Sequence, residues 1–168
     1  MGHASSLTGR SPSGVPLIEI SSSSWLWVTT IHLAATWFLV GLIWVIQVVH
    51  YPSFDAIERE RYGAFQQRHM NGMGAVVGLP WLIEGIAVLA VFFAAPDRTS
   101  LVLASIGGVL EAIVIAVTVL RSIPAHERLT SGYDADAHRR LVHTNWLRTA
   151  AWSARGLVAI ALVVLAAT

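Results

Sequence analysis

Four histidines, His50, His69, His126 and His143, stand at the ends of four long apolar segments. His50 ends the first segment and His69 opens the second; His126 ends the third and His143 opens the fourth. If the segments run up-down-up-down, all four imidazoles come to one face. Neutral imidazole is a ligand for zinc, copper, iron and nickel. Their convergence therefore predicts a copper, iron or zinc ion, or a haem, held near that face. One histidine at a helix end is usually an interfacial residue, but four at four matching ends argue for a shared site. Gln47 lies one turn before His50, and Asn145 and Arg148 lie within about a turn of His143. Such groups orient imidazoles from behind or hold an oxygen atom of a substrate, which makes Gln47, Asn145 and Arg148 the candidate catalytic residues. His138, in a polar connection beside Arg139, is predicted to face solvent. His32, isolated toward the opposite side, is predicted to hydrogen-bond to a neighbouring helix rather than to ligate a pigment or haem.

A second constellation lies deeper. Glu84, Glu111 and Arg155 all fall near the middle of their segments. Charges at the centre of a bilayer cost several kcal/mol and normally face a partner inside the bundle, so a Glu–Arg–Glu cluster is predicted. Two carboxylates against one guanidinium leave a negative charge over, which points to a protonated acid or to a proton or cation pathway. The plainer reading is a buried ion pair that sets helix register. His69 precedes Glu84 by fifteen residues, and Glu111 precedes His126 by fifteen. At 1.5 Å per residue each gap is about 22 Å, so these are two separate layers and not one di-iron carboxylate site.

The elements that carry these residues are apolar and long. Of 168 residues, 55% are hydrophobic and 12% charged, too apolar for an ordinary soluble domain. The apolar runs cover residues 25–49, 72–95, 101–120 and 143–167, each near the ~20 residues that cross a hydrocarbon core. Only helices satisfy the backbone at this length, and no stretch alternates with the period of a barrel strand. The predicted fold is an all-α, antiparallel four-helix transmembrane bundle over residues 25–168. A tail at 1–24, rich in Ser, Gly and Pro, precedes it; the apolar run behind that tail is too long for the core of a signal peptide. Trp25 and Trp27 mark the membrane interface. Residues 53–68 suit a short amphipathic helix with Ile57, Tyr62 and Phe65 toward the bundle. Gly72, Gly74, Gly78 and Pro80 predict a bent or closely packed first half of the second helix.

Composition excludes several chemistries. There is no cysteine, hence no disulfide, thiolate ligand, iron–sulfur cluster or covalently attached c-type haem. A net charge of +1 gives no purchase on nucleic acid. Arg59, Arg61, Arg68, Arg128, Arg139 and Arg140 occupy the connections on the histidine side, with Arg121 at their border; Arg10 and Arg98 lie on the other side. The positive-inside rule then puts the histidine side in the cytoplasm of a bacterial inner membrane and both termini outside.

Three short stretches carry a family resemblance: His50-Tyr51-Pro52-Ser53-Phe54, Ile123-Pro124-Ala125-His126-Glu127-Arg128-Leu129, and Asn145-Trp146-Leu147-Arg148-Thr149. Over residues 37–155 the chain resembles the small four-helix membrane family that includes fungal anthrone oxygenases. The resemblance implies a four-helix membrane protein and, for some members, oxidation of an aromatic polyketide with oxygen. It also implies that Asn145, Arg148 and residues 124–129 line the site; the additional histidines depart from the pattern. The leading expectation is thus a membrane-embedded oxidoreductase or oxygenase acting on a lipophilic substrate that enters from the lipid bilayer. The competing expectations are a non-catalytic subunit of a larger membrane complex and a small proton- or ion-handling transporter using Glu84 and Glu111. With four helices, the transporter would need a homo-oligomer.

Overall fold

In the computed structural model, residues 17–168 are described; the greater part of the expected tail, residues 1–16, lies outside them. Helix α1 spans Ser22–Val45, runs on through a π-helical turn at Ile46–His50 and ends in a 3-10 turn at Pro52–Ala56. A second 3-10 turn, Arg59–Arg61, leads into α2, Tyr62–Phe93. Helix α3, Arg98–Val117, continues through a second π turn, Thr118–Ser122, into α4, Ile123–Thr130; α5 is Ala135–Ala166. Four rods long and apolar enough to cross a membrane result, and no strand occurs among the described residues. The protein is an all-α four-helix bundle.

Local chemistry sets the helix starts. Ser21 caps α1 by accepting from the Ser24 amide at 3.1 Å. Asp97 caps α3 through the Ser100 amide at 2.9 Å, and Asp134 caps α5 through the amides of Asp136 and Ala137, both at 2.9 Å. Each satisfies backbone donors that no helical carbonyl reaches. The serine run therefore begins a helix, although it was expected to close a tail. Gly132, with φ at 134°, supplies the left-handed residue that turns α4 toward α5.

The inner face of each rod is a stripe with steps of three and four residues. In α5 it reads His138, Leu141, Asn145, Arg148, Trp152, Arg155, Ala159, Leu162. In α1 it reads Trp25, Thr29, His32, Thr36, Leu39, Ile43, and in α3 Ser100, Ala104, Gly107, Glu111, Val114. This is the 3.5-residue repeat of a left-handed bundle. Polar and charged side chains occupy many of its inner positions, whereas Leu79, Leu82, Leu120 and Leu157 point outward. Trp25 packs with Val91, Ala94, Ala104 and Leu162 at one end. Tyr51, Phe54, Tyr62, Leu129 and Leu141 pack at the other. The start of one rod thus meets the end of the next. Helix α5 packs most heavily, on α1 and α3; α2 packs on α1 and far less on α3.

Three expectations need correction. Helix α2 starts at Tyr62, not near 72, and α5 starts at Ala135, not at His143. Apolar runs mark only the part of a helix that crosses hydrocarbon, and both helices continue past it. Consequently residues 53–68 are two 3-10 turns and the first turns of α2 rather than a separate helix, with Tyr62 buried and Ile57 and Phe65 packed on the core. Third, α2 runs unbroken through Pro80, and the expected close packing at its glycines is not made. A side chain added at Gly72, Gly74 or Gly78 would meet nothing within 4 Å, so these glycines do not mark close packing.

Candidate functional site

The four rods line a partly open cavity of about 260 Å³ at the end where the histidines were expected. Ile46 and Tyr51 reach it from the first rod, and His69, Met73, Val77 and Trp81 from α2. Thr118, Ser122 and His126 reach it from the third rod, and Arg148 from α5. Both π turns border it, at Ile46 and at Thr118–Ser122. A π turn inserts one extra residue into a helix and is frequent at functional sites. Here each one shifts the phase of the inner stripe just before Tyr51 or His126.

A hydrogen-bonded chain forms the polar floor. Gln66 donates from Nε2 to Nδ1 of His126 at 2.7 Å. His126 then carries its proton on Nε2 and donates to the Tyr51 hydroxyl oxygen at 2.9 Å, leaving the Tyr51 O–H free to donate. His50 Nε2 and His69 Nδ1 lie 2.8 Å apart, and the rings of His69 and His126 are 5.1 Å apart. Phe54 meets His69 edge-on at 5.1 Å. The other ring nitrogen of His69 makes no hydrogen bond among the described residues, and His69 lines the cavity.

Arg148 lines the cavity from α5. It donates from Nη1 to Asn145 Oδ1 at 3.1 Å and to Ser122 Oγ at 3.4 Å. Asn145 in turn donates to Gln47 Oε1 at 2.8 Å, and Gln47 donates to the Val142 carbonyl at 3.3 Å. The guanidinium lies 5.3 Å over the Trp152 ring. It is buried, its Nε has no partner, and among the described residues no carboxylate pairs with it. A buried cation supported only by neutral groups in an apolar-walled cavity favours an anionic or strongly polarised oxygen in front of it.

The structure brings His50, His69 and His126 together with Gln47, Asn145 and Arg148. It does not bring His143: that residue is exposed. Because α5 starts eight residues earlier than expected, the helical phase decides. His143 sits two residues from each of the inward positions Leu141 and Asn145, turned about 200° from both. A metal centre of four histidines is therefore corrected. Both nitrogens of His126 are engaged, by Gln66 and Tyr51. Among the described residues no three His, Asp or Glu side chains are arranged to hold a metal ion. Among the described residues that line the cavity, His69 keeps an unengaged ring nitrogen.

His138, expected in solvent, belongs to the inner stripe and is buried. It donates from Nε2 to the Tyr51 carbonyl at 2.8 Å, accepts at Nδ1 from the Tyr133 hydroxyl at 3.2 Å, and stacks on Phe54. His32 is buried beside Arg155 with neither ring nitrogen bonded, so its expected hydrogen bond to a neighbouring helix is not made. In that deeper layer Arg155 Nη1 lies 2.8 Å from Glu84 Oε1 and also pairs with Glu111. Trp81 donates to Glu111 Oε1 at 2.6 Å, and Trp152 donates to Glu84 Oε2 at 3.4 Å. Tyr51, Gln66, Trp81, Ser122 and Trp152 were not singled out as site residues from the sequence, and His138 was placed in solvent. For His138 and Trp152 the signal was available, since both fall on the three-and-four stripe through Asn145, Arg148 and Arg155.

No family model matches the chain, nor does any curated protein or solved structure with which it was compared.

Proposed function

We propose that the protein is a membrane-embedded oxidoreductase whose cavity binds a lipophilic ring compound through a ring oxygen. The observation that carries this reading is the buried, carboxylate-free Arg148 facing an apolar-walled cavity that also holds the free ring nitrogen of His69. A phenol, or a C–H acid beside a ring carbonyl, gives its proton to that nitrogen. His50 steadies the imidazolium by accepting at Nε2 from His69 Nδ1–H, and the oxyanion faces Arg148 and the Tyr51 O–H. Preorganised donors aimed at developing charge in a water-poor site are the strongest catalytic device of this kind. The electron-rich anion is what dioxygen oxidises. Converting a ring methylene to a carbonyl consumes one dioxygen, puts one of its atoms into the new C=O and releases the other as water. No step runs through a metal or haem. The resemblance to the anthrone oxygenase family supports the same substrate chemistry.

The four spans make the protein an integral membrane protein. The arginine distribution supports a bacterial inner membrane, with the cavity near the cytoplasmic side and both termini outside.

The test is oxygen uptake by the purified protein in lipid nanodiscs with anthrone as probe. Uptake above the protein-free rate is expected, and Arg148→Leu should lower it by about 10²-fold, the scale of losing a principal oxyanion donor. Uptake no faster than in empty nanodiscs sinks the catalytic reading and favours a non-catalytic subunit.

A further inference from the structure

The loose packing of α2 on α3 leaves a second cavity, of about 630 Å³, deeper in the membrane than the first. Trp81, Gly85 and Leu89 form one wall; Gly108, Glu111 and Ile115 form the other. Gly85 and Gly108 hold it open, since a Cβ at either would meet nothing within 4 Å. Leu82, Ile86 and Leu89 are each more than half exposed, so the groove opens sideways on the outer surface of the bundle, where the lipid lies.

The groove and the histidine cavity are neighbours with a common boundary: Gly78 and Trp81 line both. Gly78 has no side chain to divide them. The Trp81 indole is drawn aside by its hydrogen bond to Glu111 and by its edge contact with Trp152, 6.0 Å between rings. Glu111 is the acidic group on the groove, and both its oxygens are taken, one by Trp81 and one by Arg155. What is left for an occupant is apolar surface. From His126 at the head of the first cavity to Gly108 in the groove is 18 residues, about 27 Å of helix, most of the ~30 Å hydrocarbon thickness.

We propose that the groove holds the linear tail of the molecule whose ring occupies the histidine cavity. The substrate class is then an aromatic head bearing hydroxyl or carbonyl oxygens on a long prenyl or alkyl chain, a lipid quinone or alkylphenol, rather than a compact polycycle. Trp81 marks the junction of head and tail. The inference rests on the ring-binding reading above and adds a second half to that site. Polar partners at one end only, and an adjoining apolar groove that shares Gly78 and Trp81 with it and opens to the bilayer, match a molecule that lies in the membrane with its head toward Arg148.

The experiment compares two probes with one head, 2-methyl-1,4-naphthoquinone and the same ring carrying a four-unit prenyl chain. Binding is read in nanodiscs by quenching of intrinsic tryptophan fluorescence and expressed per lipid mole fraction. The tailed probe should bind wild-type protein about tenfold tighter than the bare ring, from van der Waals packing of the chain against the groove walls, since the reference state is already lipid. Gly85→Leu and Gly108→Leu, which fill the groove, should remove that advantage and leave the bare-ring affinity where it was. Arg148→Leu should weaken both probes. Equal affinity of the two probes for the wild type, or an undiminished advantage in both groove variants, overturns the tail site while the ring site stands. Loss of bare-ring binding in both groove variants overturns the division into head and tail. Failure of both probes to bind wild-type protein overturns the ring-binding reading itself.

Discussion

His138 donates to the backbone carbonyl of Tyr51 at 2.8 Å, across 87 residues of chain. The hydroxyl of that same Tyr51 meets His126 in the cavity. One buried imidazole thereby anchors the backbone from which a cavity residue reaches out.

Replacing His138 by Ala leaves the Tyr51 carbonyl and the Tyr133 hydroxyl short of a partner and removes the ring stacked on Phe54. The expected loss is about 1–3 kcal/mol of stability, the cost of orphaning a buried polar group. Thermal unfolding in detergent measures it. His143→Ala, on the exposed face of the same helix, should unfold with the wild type. Equal effects of the two changes would mean that the phase of α5 is wrong.

Arg155→Leu strands Glu84 and Glu111, both buried against the guanidinium. Removing one partner of a buried charge cluster typically costs about 3–5 kcal/mol. Adding Glu84→Gln and Glu111→Gln to Arg155→Leu should recover part of the loss, because the stranded charges are then gone. A single variant as stable as the wild type, or a triple variant no better than the single one, counts against the cluster.

Asp97 links stability to pH outside the membrane. Its carboxylate accepts from the amide and hydroxyl of Ser100, and these bonds hold it below the usual carboxylate range. The folded-state pKa is depressed, so the stabilisation is present above the unfolded value and lost as pH falls through the lowered one. Asp97→Asn keeps a capping side chain but cannot ionise; Asp97→Ala should cost about 1 kcal/mol at neutral pH. Unfolding curves should show the gap between wild type and Asp97→Ala narrowing as pH drops below the ordinary aspartate range. A gap independent of pH would assign the cap to geometry alone.

The absence of cysteine makes topology directly measurable. Thr99 and Ser131 are exposed near opposite ends of the third rod. With the proposed orientation, Thr99→Cys reacts with a membrane-impermeant maleimide added to intact cells, and Ser131→Cys reacts only after permeabilisation. The opposite pattern inverts the protein in the membrane.

Much of this architecture is legible in the chain, because a bilayer demands long uninterrupted apolar helices and tolerates a mid-span charge only beside a partner. That pressure is why Glu84, Glu111 and Arg155 could be paired from depth alone. What depth does not carry is rotation about the helix axis. His143 and His138 lie five residues apart in α5, yet one is exposed and the other buried. Choosing between them requires knowing that the helix starts at Ala135 and which positions form the stripe. The link from Tyr51 to His126 and Gln66 is harder still. It depends on a π turn in the first rod and another in the third, and neither has a composition that distinguishes it from ordinary helix.

The buried charge cluster also bears on how the chain is made. Translation delivers Glu84 and Glu111 to the membrane before the guanidinium that balances them exists; Arg155 follows Glu111 by 44 residues. Until the last span arrives, the nascent bundle holds two mid-span acids with no arginine at their depth. The last span, in turn, brings Arg148 and Arg155 into lipid, each costing about 2.5–3.5 kcal/mol on insertion scales. Its insertion is favourable because the waiting carboxylates receive one of the two. A chain cut short before Arg155 is thus an assembly intermediate with an exposed electrostatic defect, a signature that a membrane protease or insertase can read as unfinished.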